Sequence, residues 1–425
     1  MPTAIPKQKH IFTRYQVFII VLSALVQFSV ILDFMVLSPL SAILLKELHT
    51  TTSQFGLVVS AYAFSAGASG ILAAGFADRF DRKKLLLFFY SGFIIGTLLC
   101  AIADSYQFLL IARIITGIFG GVLSAIGGAI VTDLFKMEVR GRVMGYIFTA
   151  FSASQVLGIP IGILLANHFS WHAPFWMIAV LAIMTAIVIA IYMKPITDHL
   201  KYPSTRNPFT HLYKTLTNGD YLKAFITTTL LTTGGYMLMP FGSAFSTNNL
   251  GISIDDLPLL YGITGVCTIV FGPLLGRLSD KIGKYNVFLI GTILSITMVA
   301  IYSNLNTTPL IIVILLNIML FIGITSRITA SSALMSAIPD PADRGAFMSV
   351  NSSVQQVSGG IAASIAGMIV VQASNGKLEH YNTLGYIVIG SMICAAFFMY
   401  ILHRYVQKKS TILPPIQSPE LSEVS

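Results

Sequence analysis

Charge is what this chain has least of. Asp, Glu, Lys and Arg make up only 10% of its 425 residues, against 55% hydrophobic residues. A soluble domain carries roughly 25% charged residues. A water-facing fold of this size would have no polar surface to show, so the composition specifies an integral membrane protein. Cysteine is scarce as well. Cys100, Cys267 and Cys394 all lie in apolar segments and form neither a CxxC nor a disulfide framework. The eight histidines fall in loops or at the ends of apolar segments, with no HExxH or other metal-ligand spacing. There is no nucleotide-binding motif, nucleophile–base pair or metal cluster in the sequence. An enzyme, a resident metal or cofactor and direct use of ATP are therefore not expected. The net charge of +9 does not signal nucleic acid, because the basic residues sit in short loops between apolar runs.

Long apolar runs are what is present. A bilayer-spanning helix needs about 20 apolar residues. Twelve segments qualify, the first six near 15–45, 52–76, 83–103, 106–134, 141–167 and 172–194. The second six lie near 220–250, 255–278, 284–304, 309–337, 343–372 and 381–404. The chain thus divides into a six-helix bundle at 1–194, a linker at 195–219, a second bundle at 220–404 and a disordered tail at 405–425. Within the linker, 207–216 suits a short helix on the membrane surface. The first apolar run is too long for a signal-peptide core and is expected to be retained. Trp171 and Trp176 suit an interfacial belt.

Basic residues give the orientation. Loops after even-numbered spans, with both tails, carry clusters such as Arg79, Arg82, Lys83 and Lys84, or Arg277, Lys281 and Lys284. The opposite loops hold only Lys46 and Lys377. Lys and Arg mark the cytoplasmic side, so both termini are expected there.

The clusters also repeat. Ala74-Gly75-Phe76-Ala77-Asp78-Arg79-Phe80-Asp81-Arg82-Lys83-Lys84 puts six charges into its last seven residues between two spans. Gly276-Arg277-Leu278-Ser279-Asp280-Lys281-Ile282-Gly283-Lys284 stands at the matching place in the second half. Arg140-Gly141-Arg142 and Arg344-Gly345-Ala346 form a second pair. A duplicated charged turn inside a hydrophobic chain marks a two-halved membrane protein.

This turn resembles the signature between helices two and three of the major facilitator superfamily. That signature runs Gly, three variable residues, Asp, Arg or Lys, a variable residue, Gly, then basic residues. The second copy matches both glycines; the first has Ala74 and Asp81 in their places. The resemblance covers nearly the whole chain. It implies an all-α fold of twelve helices in two pseudo-symmetric six-helix bundles, with spans one, four, seven and ten around a central cavity. In the superfamily the turn bridges to the end of span four and to span eleven, locking the cytoplasmic side. The match carries that gating role to Asp78, Arg82 and Asp133, and to Gly276, Asp280 and Lys281 in the second copy.

Three ionisable groups lie deep in apolar runs: Asp33, Arg113 and Arg327. A charge in hydrocarbon is costly, so each must face a partner or water. Asp33, midway along span one, is a candidate proton carrier, the alternative being a permanently paired structural ion. Arg113 opens Arg113-Ile114-Ile115-Thr116-Gly117, which resembles the superfamily's fourth-helix motif. The resemblance implies that Arg113 tunes the protonation of a nearby acid, with Asp33 the candidate. The alternative is that it ties span four to a neighbour's carbonyls. Arg327, on span ten, matches no such signature. It is open between contact with an anionic substrate, a gate to Asp33 across the halves, and structural pairing. Two arginines against one aspartate favour a substrate with a negative group. Tyr236, beside Gly234 and Gly235 and ahead of Pro240, is open between substrate contact and packing. Gly158-Ile159-Pro160-Ile161-Gly162 partly resembles the helix-five antiporter signature, and close packing with a kink is the favoured reading.

The N-terminal half most resembles the bacterial drug- and sugar-efflux branch, the arabinose-efflux-permease-like and drug:H+ antiporter proteins. The expectation is a monomeric secondary transporter of the bacterial cytoplasmic (inner) membrane. It would export a small organic molecule by alternating access, driven by the proton gradient. A proton-coupled importer of an organic anion, and a non-transporting membrane scaffold, remain open. The partners implied are a small-molecule substrate and the lipid bilayer.

Overall fold

The computed structural model describes residues 12–73, 79–201, 214–339 and 344–412, nearly all of them helical. Span one is Arg14–Val36, followed by a short helix Ser41–Glu47. Spans two, three and four are Thr52–Ala73, Arg82–Ala101 and Tyr106–Leu134. Span five is Met137–Ala153, joined through one π-helical turn, Ser154–Gly158, to Ile159–His168. Span six is Ala173–Tyr192. Span seven is Gly219–Leu238, a tight turn Met239–Phe241, and a short helix Gly242–Asn248. Spans eight to twelve are Leu257–Ile282, Lys284–Tyr302, Leu310–Met335, Arg344–Ile369 and Tyr381–Ile412.

Local chemistry sets the helix ends. Spans one and two both open on a Thr-x-x-Gln capping box. In the first, Thr13 N donates to Gln16 Oε1 at 3.0 Å and Gln16 N to Thr13 Oγ1 at 3.2 Å; Thr51 and Gln54 repeat both bonds at the same distances. Proline decides the breaks. Pro160 has no N–H and its ring crowds the carbonyl of Val156, so the preceding turn widens into the π form. Pro240 ends the long part of span seven. The helix runs unbroken through Gly234 and Gly235, so those glycines do not unwind it.

Among the described residues, ten helices are long and apolar enough by themselves to cross a membrane. The two remaining crossings are spans seven and eleven. The first is interrupted, and the second carries Ser349, Asn351, Ser352, Ser353, Gln355, Gln356 and Ser358. Span eleven tolerates these because it packs on spans two and seven.

Among the described residues, the two halves meet mainly along three lines: span two on span eleven, span five on span eight, and the tip of span one on the tip of span seven. Lipid gives no hydrophobic drive between helices, so small residues and hydrogen bonds must hold them. A Cβ on Gly56 would stand 2.8 Å from the Ala363 carbonyl, and one on Gly367 2.7 Å from the Thr52 carbonyl. Only glycine permits that crossing. Polar bonds zip the same face, the one opposite the charged turns. Ser41 Oγ and Ser243 Oγ lie 2.8 Å apart, Ser364 Oγ donates to Ser60 Oγ at 2.8 Å, and Asn167 Nδ2 to the Ile254 carbonyl at 3.0 Å. Ser38 Oγ also donates to the Met239 carbonyl and Thr52 Oγ1 to the Val370 carbonyl.

Several details depart from the sequence reading. The second charged segment is not a turn along its length. Gly276 to Ile282 continue span eight, and the chain reverses at Gly283 alone, with φ +97°. Span twelve runs to Ile412 rather than ending near 404. Between spans eleven and twelve a small hairpin pairs Val371–Gln372 with Leu378–Glu379, antiparallel. Asn249, at the end of span seven, holds it. Its Nδ2 donates to the Leu378 carbonyl and its Oδ1 accepts from the Leu378 N–H, both at 2.9 Å. Trp171 is buried and stacked on His172, so of the two tryptophans only Trp176 is exposed as a belt residue would be. Most of the 207–216 stretch and the tail beyond 412 lie outside the described residues.

Candidate functional site

Asp33 and Arg113 come together in the core of the first bundle. Arg113 Nη1 donates to Asp33 Oδ2 at 2.7 Å and to the Asp33 carbonyl at 3.4 Å. Thr97 Oγ1, from span three, donates to Asp33 Oδ1 at 3.3 Å. Both charged residues are 0% exposed. Three helices approach closely enough to do this because Gly96 of span three lies against the backbone of Thr116 on span four. Arg113 Nε is buried without a hydrogen-bond partner among the described residues.

An aromatic cover lies over the pair. The Arg113 guanidinium sits 4.6 Å from the centre of the Tyr62 ring. Phe34, the next residue after Asp33, stands 5.3 Å from Tyr62 on one side and 5.6 Å from Tyr236 on the other. Tyr62 belongs to the first half and Tyr236 to the second, so Phe34 is the middle of three tilted rings that cross between them. Tyr236 is seated by Gly359 of span eleven, where a Cβ would meet its ring at 2.5 Å. Asp33 therefore does not face an open central space here; it is sealed. An apolar cleft of about 520 Å³ lies instead beside Phe12, Val21, Phe28 and Tyr146, between spans one and five, and touches none of the predicted charged residues.

Arg327 is placed elsewhere. It is buried within the second bundle with its guanidinium 5.7 Å from the Phe288 ring. It does not meet Asp33, so the pairing across the halves that would make it a gate is absent from this arrangement. Its Nε and Nη2 have no hydrogen-bond partner among the described residues.

The charged turn forms a separate cluster. Arg82 Nε bonds Asp133 Oδ2 at 2.9 Å, tying the start of span three to the end of span four as the resemblance implies. Asp78 and the Arg344 side chain lie outside the described residues. Asp81 stands where the second copy has Gly283 and does different work. Its Oδ1 accepts from the Lys83 N–H, capping span three, and from the Ile196 N–H, both at 2.9 Å. Arg82 N then donates to the Ile196 carbonyl at 3.2 Å, so the start of the linker is fastened to the turn. Asp280 and Lys281 are exposed, and a Cβ on Gly276 would meet nothing within 4 Å. In span five, Gly158 and Gly162 let Leu32 and Val36 of span one pack close, as the packing reading expects.

The sequence reading missed Phe34, Tyr62, Thr97 and the serine pair. Ser41 and Ser243 were findable, because they are 202 residues apart, the spacing of Asp78 and Asp280.

The Major Facilitator Superfamily model matches residues 23–241 and 224–420. The chain belongs to the Major Facilitator Superfamily. It is 28% identical over 287 residues to the uncharacterized MFS-type transporter YceJ of Bacillus subtilis, covering 67% of this chain and 72% of that one. It is 24% identical over 283 residues to Multidrug resistance protein 2 of the same organism, covering 65% and 70%. The crystal structure of a D-xylose-proton symporter superposes with a TM-score of 0.72 over 89% of this chain and 97% of that one, at 17% identity. That likeness bears on the fold alone: twelve helices in two six-helix bundles. As a superfamily member the chain is a transporter held in a bilayer, and such proteins take small-molecule substrates.

Proposed function

We propose that this transporter is a proton-coupled exporter of a small organic molecule, with Asp33 as the group that takes up and releases the proton. The observation that carries the reading is the fully buried Asp33–Arg113 pair beneath rings from both halves. A buried ion pair is weak support for stability. Set deep in a membrane span, it marks a pathway or relay. Protonation neutralises Asp33, releases Arg113 from its 2.7 Å bond and loosens the ground on which Phe34 stands. Phe34 and Tyr236 pass that change to the second half, where Tyr236 also meets substrate. Charge at one aspartate thus biases how the halves sit, which is what alternating access needs.

Direction rests on the relatives and the loops. Multidrug resistance protein 2 supports export, and the basic turns put their face in the cytoplasm, with both termini, in a bacterial inner membrane. The zipped face is then the outer one, and the arrangement described is closed outward. The chain works as a monomer, with the Arg82–Asp133 cluster bracing the cytoplasmic side. A second reading is proton-coupled import of an organic anion, which two deep arginines, Arg113 and Arg327, against the one aspartate Asp33 support.

The test uses proteoliposomes loaded with the pH dye pyranine and given a panel of organic acids, neutral amides and amines. The wild-type protein should move protons against the solute it carries, and Asp33→Asn should abolish that movement. Proton and solute moving together would establish import. Undiminished coupling in Asp33→Asn would remove Asp33 from the mechanism.

A further inference from the structure

Arg327 is the most anomalous side chain among the described residues. It is 5% exposed and sits on the fourth span of its half, as Arg113 does. Each guanidinium lies near an aromatic ring, Tyr62 for Arg113 and Phe288 for Arg327. The parallel ends at the counterion. Arg113 has Asp33 at 2.7 Å, whereas Arg327 has no carboxylate within ion-pair reach among the described residues. Among the described residues it gives no hydrogen bond to a backbone carbonyl either, and its Nε and Nη2 are buried without a partner.

A buried cation with neither anion nor acceptor is among the costliest arrangements a membrane protein can hold. The Phe288 face offsets only a small part. The surroundings are apolar: Phe288 packs in one cluster with Phe225, Phe347, Ala330 and Leu334. A purely structural position among such neighbours would be filled better by Leu or Met. A guanidinium offers a planar fork of donors that fits the paired oxygens of a carboxylate or phosphate. Two adjacent donors of that fork are free here.

We infer that Arg327 receives one oxyanion, the carboxylate or phosphate ester of the transported solute. The inference rests on the transport reading for the identity of the anion's bearer. It assigns the negative group to the second bundle and the proton to the first. The two charges are then held by separate halves of one molecule.

The test compares thermal unfolding of wild type, Arg327→Gln and Arg327→Lys in nanodiscs with benzoate, phenyl phosphate, benzamide or benzylamine. One of the two acids should raise the wild-type melting temperature, and which one does separates carboxylate from phosphate. Benzamide and benzylamine should not. Arg327→Gln should lose the shift, and Arg327→Lys, which keeps the charge without the fork, should retain a smaller one. An equal shift in wild type and Arg327→Gln, a shift from benzylamine alone, or none from either acid would overturn the inference. Should Arg327→Gln fail to fold, Arg327→Met serves in its place. Pyranine vesicles run in parallel keep the two readings apart. An Arg327-dependent acid shift without coupled proton movement retires the exporter and keeps the anion site. Coupled movement of an amine that Arg327→Gln leaves intact keeps the exporter and removes the site.

Discussion

Asp33 and Phe34 are neighbours in the chain with opposite tasks: one holds the charge and the other shuts it away. Removing one partner of a buried ion pair costs about 3–5 kcal/mol, while replacing both is often neutral. Arg113→Ala should therefore lower the thermal unfolding temperature sharply. The double variant Asp33→Asn with Arg113→Gln should recover much of the loss, and a double as unstable as the single would count against a pair-dominated site. Phe34→Ala should instead leave the fold intact and let protons leak through pyranine-loaded vesicles without any solute. A vesicle as tight as wild type would mean that the ring does not seal. Asp33, Arg113 and Arg327 were legible in sequence because a charge in an apolar run is conspicuous. Phe34, Tyr62 and Thr97 were not, because aromatic and hydroxyl residues are common in membrane helices and only the packing selects these three.

At the scale of elements, the two charged segments diverge where the superfamily pattern has its second glycine. Gly283 turns the chain with φ +97°, a conformation that costs another residue about 1–3 kcal/mol. Asp81 turns it without positive φ and uses its carboxylate to hold Ile196. Asp81→Ala should remove a cap worth about 1 kcal/mol and expose the start of the linker to limited proteolysis. Asp81→Gly should cost the cap only a few tenths of a kcal/mol yet expose the linker likewise, even though it restores the superfamily residue, and unchanged proteolysis in both would show that Ile196 is held by other bonds. The spans themselves were readable from apolar length. The breaks were less so, since a proline within an apolar run gives no sign of how the helix will be rerouted. Apolar length predicts a single run to about 45 for span one, yet the helix stops at Val36 and restarts at Ser41.

For the whole molecule, the duplicated spacing was the most informative signal, since it foretold two halves and carried the Ser41–Ser243 contact with it. What it did not convey is which face closes, because that depends on side chains meeting across the halves. Cysteines at Ser41 and Ser243, in a background without Cys100, Cys267 and Cys394, should cross-link under mild oxidation. Coupled flux should stop and return on reduction. Full flux in the cross-linked protein would mean that these tips never part during the cycle.

The clasp between Asn249 and Leu378 has one more outcome. Two reciprocal bonds make the hairpin a rigid passenger on the tip of span seven. A fluorophore at Ser374, on the exposed bend of that hairpin, would ride outside the bilayer on whatever span seven does within it. The hairpin is thus a ready-made pointer, through which the opening of the far side could be watched in real time without touching a residue that carries proton or solute.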